Sequence, residues 1–203
     1  MKKLYFILIA LMSSVACFAQ YAVSDNYRQW FSDDHAIYTR MPVECTPEGP
    51  ELWNGCHVRR VGQQIRIYDE NNSYLFWGEE VTLLHTGYYR VKKNGRYYIY
   101  NPEGERTDIY GQEIMEYPWM AYAVKKDNGY WYVYRVDGTR LSFHSEIPPY
   151  TYWNGCWSYV LSGREYATDI NGNRISGVYG DDIRLLDSGK WKCIRGNNYR
   201  IVD

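Results

Sequence analysis

The stretch Tyr88-Tyr89-Arg90-Val91-Lys92-Lys93-Asn94-Gly95-Arg96-Tyr97-Tyr98-Ile99-Tyr100-Asn101-Pro102-Glu103-Gly104 decides the fold class. Asn-Gly is the strongest short hairpin signal, because both residues tolerate the positive φ that a two-residue turn between twisted strands demands. Tyr88 to Lys92 is therefore one strand, Asn94-Gly95 the turn, Tyr97 to Tyr100 the next strand and Pro102-Glu103-Gly104 the next turn. A third strand is expected to follow. Asn-Gly recurs at residues 54–55, 128–129, 154–155 and 171–172, and Asp137-Gly138 adds an equivalent signal. No segment has a helical period.

Working outward, Gly95 is one mark on a ruler. Gly62, Gly95, Gly129, Gly163 and Gly196 follow one another at steps of 33, 34, 34 and 33 residues. A period in this range marks supersecondary units that bury their apolar faces only against one another. The third position after each mark is Ile65, Tyr98, Tyr132, Tyr166 and Tyr199, and the fifth is Ile67, Tyr100, Tyr134, Thr168 and Ile201, which reads as one strand face repeated five times. The fourth position, Arg66, Ile99, Val133, Ala167 and Arg200, is mixed and reads as half covered. The expectation is an all-β chain of about five three-stranded antiparallel units near residues 53–87, 88–120, 121–152, 153–189 and 190–203. The last is completed by residues 20–52, where Trp30-Phe31-Ser32-Asp33-Asp34 looks like its missing half. Two arrangements fit: an open twisted stack, or a small five-bladed propeller-like ring closed by the termini.

Lys2 and Lys3, the apolar run Leu4 to Met12 and the small residues ending at Ala19 have the order of a secretory signal. The run is shorter than the roughly 20 residues that span a bilayer. Residues 1–19 are thus expected to be removed, leaving residues 20–203 as a single exported domain, periplasmic or secreted. Ser14-Val15-Ala16-Cys17 offers an alternative, lipid attachment at Cys17 and an outer-membrane lipoprotein. The Cys-Phe-Ala-Gln boundary is similar to that of secreted proteins of the Bacteroidetes. The remaining chain holds 21 basic and 24 acidic residues, a balance that does not favour nucleic acid. The 23 tyrosines and 8 tryptophans of the full sequence, all but Tyr5 within this remainder, supply the area for one well-buried domain.

Gly95 to Glu105, preceded by Tyr88 to Lys93 and followed by Tyr110-Gly111-Gln112-Glu113-Ile114, resembles a bacterial WG-repeat unit, as does Val124 to Gly138. The Trp of the Trp-Gly pair stands only at Trp131, with Gln64, Tyr97, Glu165 and Asn198 at the matching positions. The resemblance spans about 150 residues and implies a secreted or surface β-repeat protein with a binding role and no catalytic residues.

A second recurring signal sits about sixteen residues after each ruler glycine: Trp77 to Val81, Tyr110 to Ile114, Phe143 to Ile147 and Tyr179 to Ile183. Its acids, Glu80, Glu113, Glu146 and Asp182, read either as a carboxylate row facing a ligand or as acceptors for backbone N–H groups in their own turns. Cys45, Cys56, Cys156 and Cys193 permit two disulfides in an exported chain, with three possible pairings; if bridges form, Cys45–Cys56 would pin residues 41–52 and Cys156–Cys193 would tie neighbouring units. The alternative is buried free thiols. Cys56 and Cys156 each end a Trp-Asn-Gly-Cys turn. No two cysteines or histidines have zinc-ligand spacing, so neither metal nor cofactor is expected. His35, His57, His85 and His144 are scattered, no nucleophile, metalloprotease or phosphate-loop motif is present, and the chain is read as no enzyme.

Two binding readings remain. The first is a protein-interaction module of the envelope, with an immunity or inhibitor protein as its sharper version, using Tyr122, Tyr130, Trp131, Tyr150, Trp153 and Trp157 as hot spots. The second is a glycan- or cell-wall-binding module. Exposed aromatic pairs at matching positions in several units would favour glycan, whereas one contiguous non-repeating patch would favour protein.

Overall fold

A computed structural model describes residues 42–49, 51–117 and 120–203, all within one compact unit. The expected signal segment, Cys17 and the Trp30 to Asp34 stretch lie outside the described residues. The described residues form strands and turns without a helix, and every strand pair is antiparallel.

Among the described residues nineteen strands make five small sheets in chain order. The strands are β1 (Val43–Glu44), β2 (His57–Val61), β3 (Gln64–Tyr68), β4 (Tyr74–Gly78), β5 (Glu80–Leu83), β6 (Tyr89–Lys93), β7 (Arg96–Tyr100), β8 (Arg106–Gly111), β9 (Glu113–Tyr117) and β10 (Ala121–Lys125). They continue as β11 (Trp131–Arg135), β12 (Arg140–Ser145), β13 (Tyr150–Thr151), β14 (Trp157–Leu161), β15 (Arg164–Thr168), β16 (Arg174–Gly180), β17 (Asp182–Leu185), β18 (Trp191–Arg195) and β19 (Asn198–Val202). The sheets are β2–β4, β5–β8 with β1 on the β5 edge, β9–β12, β13–β16 and β17–β19. The middle sheets thus have a fourth strand that the expected three-stranded unit lacked. The aromatic–turn–acid–aliphatic segment is not one turn: β4 ends at Gly78 and β5 begins the next sheet at Glu80. Each sheet after the first therefore starts one strand earlier than the expected unit. In the fourth sheet Pro148 and Pro149 carry no N–H for a ladder, and the first strand shrinks to Tyr150–Thr151.

Successive sheets pack on one another, and four cores fill the four junctions. Ile65, Ile67 and Phe76 meet Val91 and Tyr100 at the first, while Ile99 and Ile109 meet Tyr122 and Val124 at the second. Phe143 and Trp131 meet Trp157 and Tyr159 at the third, and Ala167 and Val178 meet Ile183 and Cys193 at the fourth. An inner sheet is buried on both faces. Ile99, Val133 and Ala167, read as half covered, are accordingly 0% exposed.

The chain enters each new sheet the same way. The backbone N–H groups of Glu79, Gln112, Glu146 and Asp181 donate to the carbonyls of Lys92, Lys125, Val160 and Ile194, all on the second strand of the following sheet, at 2.8–2.9 Å. The residue before each is Gly78, Gly111, Ser145 or Gly180. A Cβ on Gly111 would lie 2.5 Å from Val124 Cγ1 and against the Lys125 carbonyl, and one on Gly78 would lie 2.6 Å from Val91 Cγ1. Ser145 instead turns its hydroxyl into the ladder, accepting from Val160 N–H at 2.9 Å. This aligns His144-Ser145-Glu146-Ile147, one residue on from the expected match, with the other crossings.

Turn geometry also revises the ruler. Asn94-Gly95 is a two-residue turn with both φ positive, at 51° and 73°, and Ser162-Gly163 is another. At the remaining Asn-Gly sites the asparagine is not left-handed: glycine alone closes a four-residue turn, as where Gly155 N–H donates to Tyr152 O. Gly62 and Gly196 are the first residues of their turns, since Val61 pairs with Gln64 and Arg195 with Asn198. That one-residue shift flips the following strand. Ile65 therefore faces opposite to Tyr98, and Tyr199 and Ile201 point outward at 66% and 47% exposure.

Gly111→Ala is expected to destabilise the protein by about 1–3 kcal/mol through steric conflict with backbone. Gly129→Ala, with open space around it but φ of +83°, is expected to cost about 1 kcal/mol. Urea unfolding of both variants checks the order.

Candidate functional site

The six aromatic residues read as one binding patch are not brought together. Tyr122, Trp131 and Trp157 are core residues, 0%, 4% and 2% exposed. Tyr122 fills the second junction, while Trp131 and Trp157 fill the third. Alternation along a strand sends neighbouring side chains to opposite faces, and in an inner sheet both faces are interior. Tyr130 is half-buried with its ring 4.9 Å from His144, Tyr150 is 47% exposed and stands edge-on to Tyr152, and Trp153 is half-buried. The Tyr122 hydroxyl lies 3.0 Å from Thr86 Oγ1, in a polar seam where His85 Nδ1 is 2.8 Å from Glu116 Oε2.

Nor do the four acids form a ligand-facing row. Glu80 takes Lys92 Nζ at 2.5 Å and the Tyr97 hydroxyl at 3.0 Å, Glu113 takes Lys125 at 2.8 Å and Asp182 takes Arg184 at 2.9 Å. The hydrogen bond from Lys92 holds the Glu80 carboxyl below its ordinary range. Glu146 accepts the N–H of Ser162 at 2.9 Å. Glu79 likewise accepts from Asn94 N–H and Asp181 from Gly196 N–H, each at 2.8 Å. The acceptor reading holds for these, except that the turn belongs to the next sheet and the repeating acids are Glu79, Glu146 and Asp181.

The four cysteines among the described residues are free thiols. Cys45 and Cys56 share the first core, while Cys193 lies in the fourth with Cys156 packed against it. Among the described residues no group of three or more His, Cys, Asp or Glu side chains is placed to hold a metal ion.

What does repeat on the surface is an arginine lying on a tyrosine beside a second ring. Tyr98 pairs across strands with Tyr110, Tyr132 with His144 and Tyr166 with Tyr179, at ring separations of 6.0, 5.8 and 6.2 Å. Immediately beyond each pair the register shifts, a bulge that turns the arginine opening the same strand diagonally across the tyrosine. Arg106 lies 5.5 Å over Tyr98, Arg140 5.4 Å over Tyr132 and Arg174 4.3 Å over Tyr166. The arginines are exposed, the tyrosines beneath them half-buried, and Tyr110 is 43% exposed. Sequence reasoning missed this row although its signal is plain: Arg106, Arg140 and Arg174 are spaced by 34 residues, in step with the ruler.

A second cation reaches back from the next sheet. Lys93 lies 4.9 Å over Trp77 and 4.6 Å over Tyr100, while Lys126 lies 4.2 Å over Tyr110 and 5.1 Å over Tyr134. Burial holds the Lys126 ammonium below its ordinary pKa. At the last junction Arg195 and Arg200 lie 4.4 and 4.7 Å over Tyr179 and pull its phenol pKa down. The third junction carries no such cation: Leu161 and Thr168 stand there, and a shallow cleft of about 180 Å³ opens between β12 and β14–β16.

No family model matches this sequence, and no curated protein does. Among solved structures, a KlHsv2 variant with loop 6CD replaced by a Gly-Ser linker is similar at 12% identity and TM-score 0.36, over 72% of this chain and 58% of that one. BamB from Moraxella catarrhalis is similar at 15% identity and TM-score 0.27, over 57% and 40%. The TCP10 domain of Danio rerio CPAP, in complex with a peptide of Danio rerio STIL, is similar at 11% and 0.20, over 79% and 77%. This chain thus spans less than two thirds of the first two. At TM-scores this low the likeness assigns neither a fold nor a function.

Burial pushes the Cys45 thiol from its ordinary value near 9 up to about 12, and raises the phenols of Tyr89, Tyr122 and Tyr152 in the same direction. Above pH 9 the folded chain keeps protons that the unfolded chain releases, so stability falls as pH rises toward 12. The expected slope for Cys45 is about 1.4 kcal/mol per pH unit. Urea midpoints measured from pH 8 to 11 are expected to decline, and Cys45→Ala to flatten the curve.

Proposed function

We propose that this chain is an exported, non-catalytic module that binds an acidic glycan along the arginine-capped tyrosine row. The observation that carries the reading is the recurrence of one Arg–Tyr–aromatic constellation at the same place on three consecutive sheets. A guanidinium lying on a ring keeps its edge N–H groups free for a carboxylate, and the stacking limits the conformational freedom lost on binding. At the first and third sites the neighbouring Tyr110 and Tyr179 rings, each carrying a further cation, add aromatic surface for a sugar face, and at the middle site His144 adds an imidazole. Packed sheets lie about 10 Å apart, so three such sites fit a chain of acidic sugars better than a single sugar. Repetition adds avidity to contacts that are individually weak.

The finer architecture belongs to the same proposal. The sheets are copies of one unit, and the extra strand brings the middle ones to the four strands of a propeller blade, which favours the ring over the open stack. Export rests on the order of residues 1–19. A protein partner, including the immunity or inhibitor version, is the second reading. It is favoured by the outward face of β19, where Tyr199 and Ile201 stand exposed on one sheet only.

Calorimetric titration with polygalacturonate against neutral dextran at fixed ionic strength tests the proposal. The wild type is expected to bind the polyuronate alone. Arg106→Ala, Arg140→Ala and Arg174→Ala are each expected to weaken it about five- to tenfold with little change in stability, and the triple variant to lose it. Equal binding of both polymers, or a triple variant that binds as wild type does, would overturn it.

A further inference from the structure

We propose that the cleft at the third sheet junction is a subsite for one uronic acid residue, resting on the reading of the row as an acidic-glycan site. The cleft is a departure from the repeat. Leu161 pairs with Arg164 as Lys93 pairs with Arg96, and Thr168 pairs with Arg174 as Tyr100 pairs with Arg106. Where the first two junctions insert a lysine between two rings, the third has a shorter aliphatic side chain and a threonine. The long cation and the large ring are both gone, and the space between β12 and β14–β16 is left open.

The walls define what fits. Phe143 and Tyr159 stack at 5.1 Å on one side, and Tyr159 stacks in turn on Tyr166 at 5.3 Å, the ring that carries Arg174. Two of the lining hydroxyls are committed: Ser142 Oγ donates to Gly172 O at 2.7 Å and Thr168 Oγ1 to Asp169 O at 3.0 Å. So is the nearest carboxylate in sequence, since Asp169 accepts the N–H groups of Asn171 and Asn173 in its own turn. The lining groups left to a ligand are the Arg174 guanidinium and the Tyr159 hydroxyl, which make no hydrogen bond or ion pair among the described residues, and the His144 imidazole, held by ring contacts with Tyr130 and Tyr132. Donor groups beside aromatic carbon suit a ring that bears a carboxylate. About 180 Å³ is below the roughly 300 Å³ at which drug-sized sites begin, and suits a single sugar ring.

The test fills the cleft with what its sister junctions carry. Leu161→Lys with Thr168→Tyr reproduces a packing the fold already accepts twice, and Leu161→Lys alone, at a half-buried position, is the milder second variant. Free galacturonic acid, followed by NMR of the Phe143 and Tyr159 rings, is expected to bind the wild type with Kd near ~1 mM. Filling is expected to weaken it at least about tenfold while polygalacturonate binding through Arg106 and Arg140 falls by less. Polymer binding without binding of the free acid, or free-acid binding unchanged in both variants, would overturn the subsite and leave the row standing. Failure of the wild type to bind either would overturn both.

Discussion

Everything in this molecule depends on how the backbone steps from one sheet into the next. At each step a residue with no room for a side chain, or a serine whose hydroxyl joins the ladder, is followed by an N–H that donates to the second strand of the new sheet. At three of the four steps the next side chain is an acid that holds that sheet's hairpin turn. Exit from one sheet, entry to the next and the turn of the next are thereby fixed by a few adjacent residues. Such close stacking buries both faces of the inner sheets, and aliphatic side chains together with tyrosines and tryptophans fill the junctions.

The period and the hairpins were legible because turn chemistry is local. Gly95, Gly129 and Gly163 place Tyr98, Tyr132 and Tyr166 on corresponding faces, as their spacing implies. Gly62 and Gly196 mislead because a glycine serves either position of a two-residue turn, and the choice reverses the strand. The fourth strand was hidden for a related reason: a glycine flanked by an aromatic and an acid reads as a tight turn, yet it is a passage between sheets. Trp131 and Trp157 show the other limit. Residue type marks them as interface anchors, and only the presence of a neighbouring sheet on each face makes them core.

The arginine row was in the sequence but carried no local signature. An arginine opening a strand reads as a solvated edge charge, and it acquires meaning only when a bulge lays it across the tyrosine of the adjacent strand. The scaffold thus repeats an arginine-on-tyrosine arrangement as a by-product of repeating its own turns and bulges. Variation enters where the repeat is relaxed, at Leu161 and Thr168, and that junction alone among the first three lacks its bridging lysine. A regular row and one irregular cleft are two outcomes of the same architecture.

The central claim is that recognition runs along the tyrosines of successive sheets. Tyrosine-selective NMR with an oligogalacturonate long enough to span three sheets tests it most directly. The account predicts shifts at Tyr98, Tyr110, Tyr132, Tyr166 and Tyr179, with Tyr74 and Tyr199 unmoved. Shifts centred on Tyr199, or none at the paired tyrosines, would contradict it.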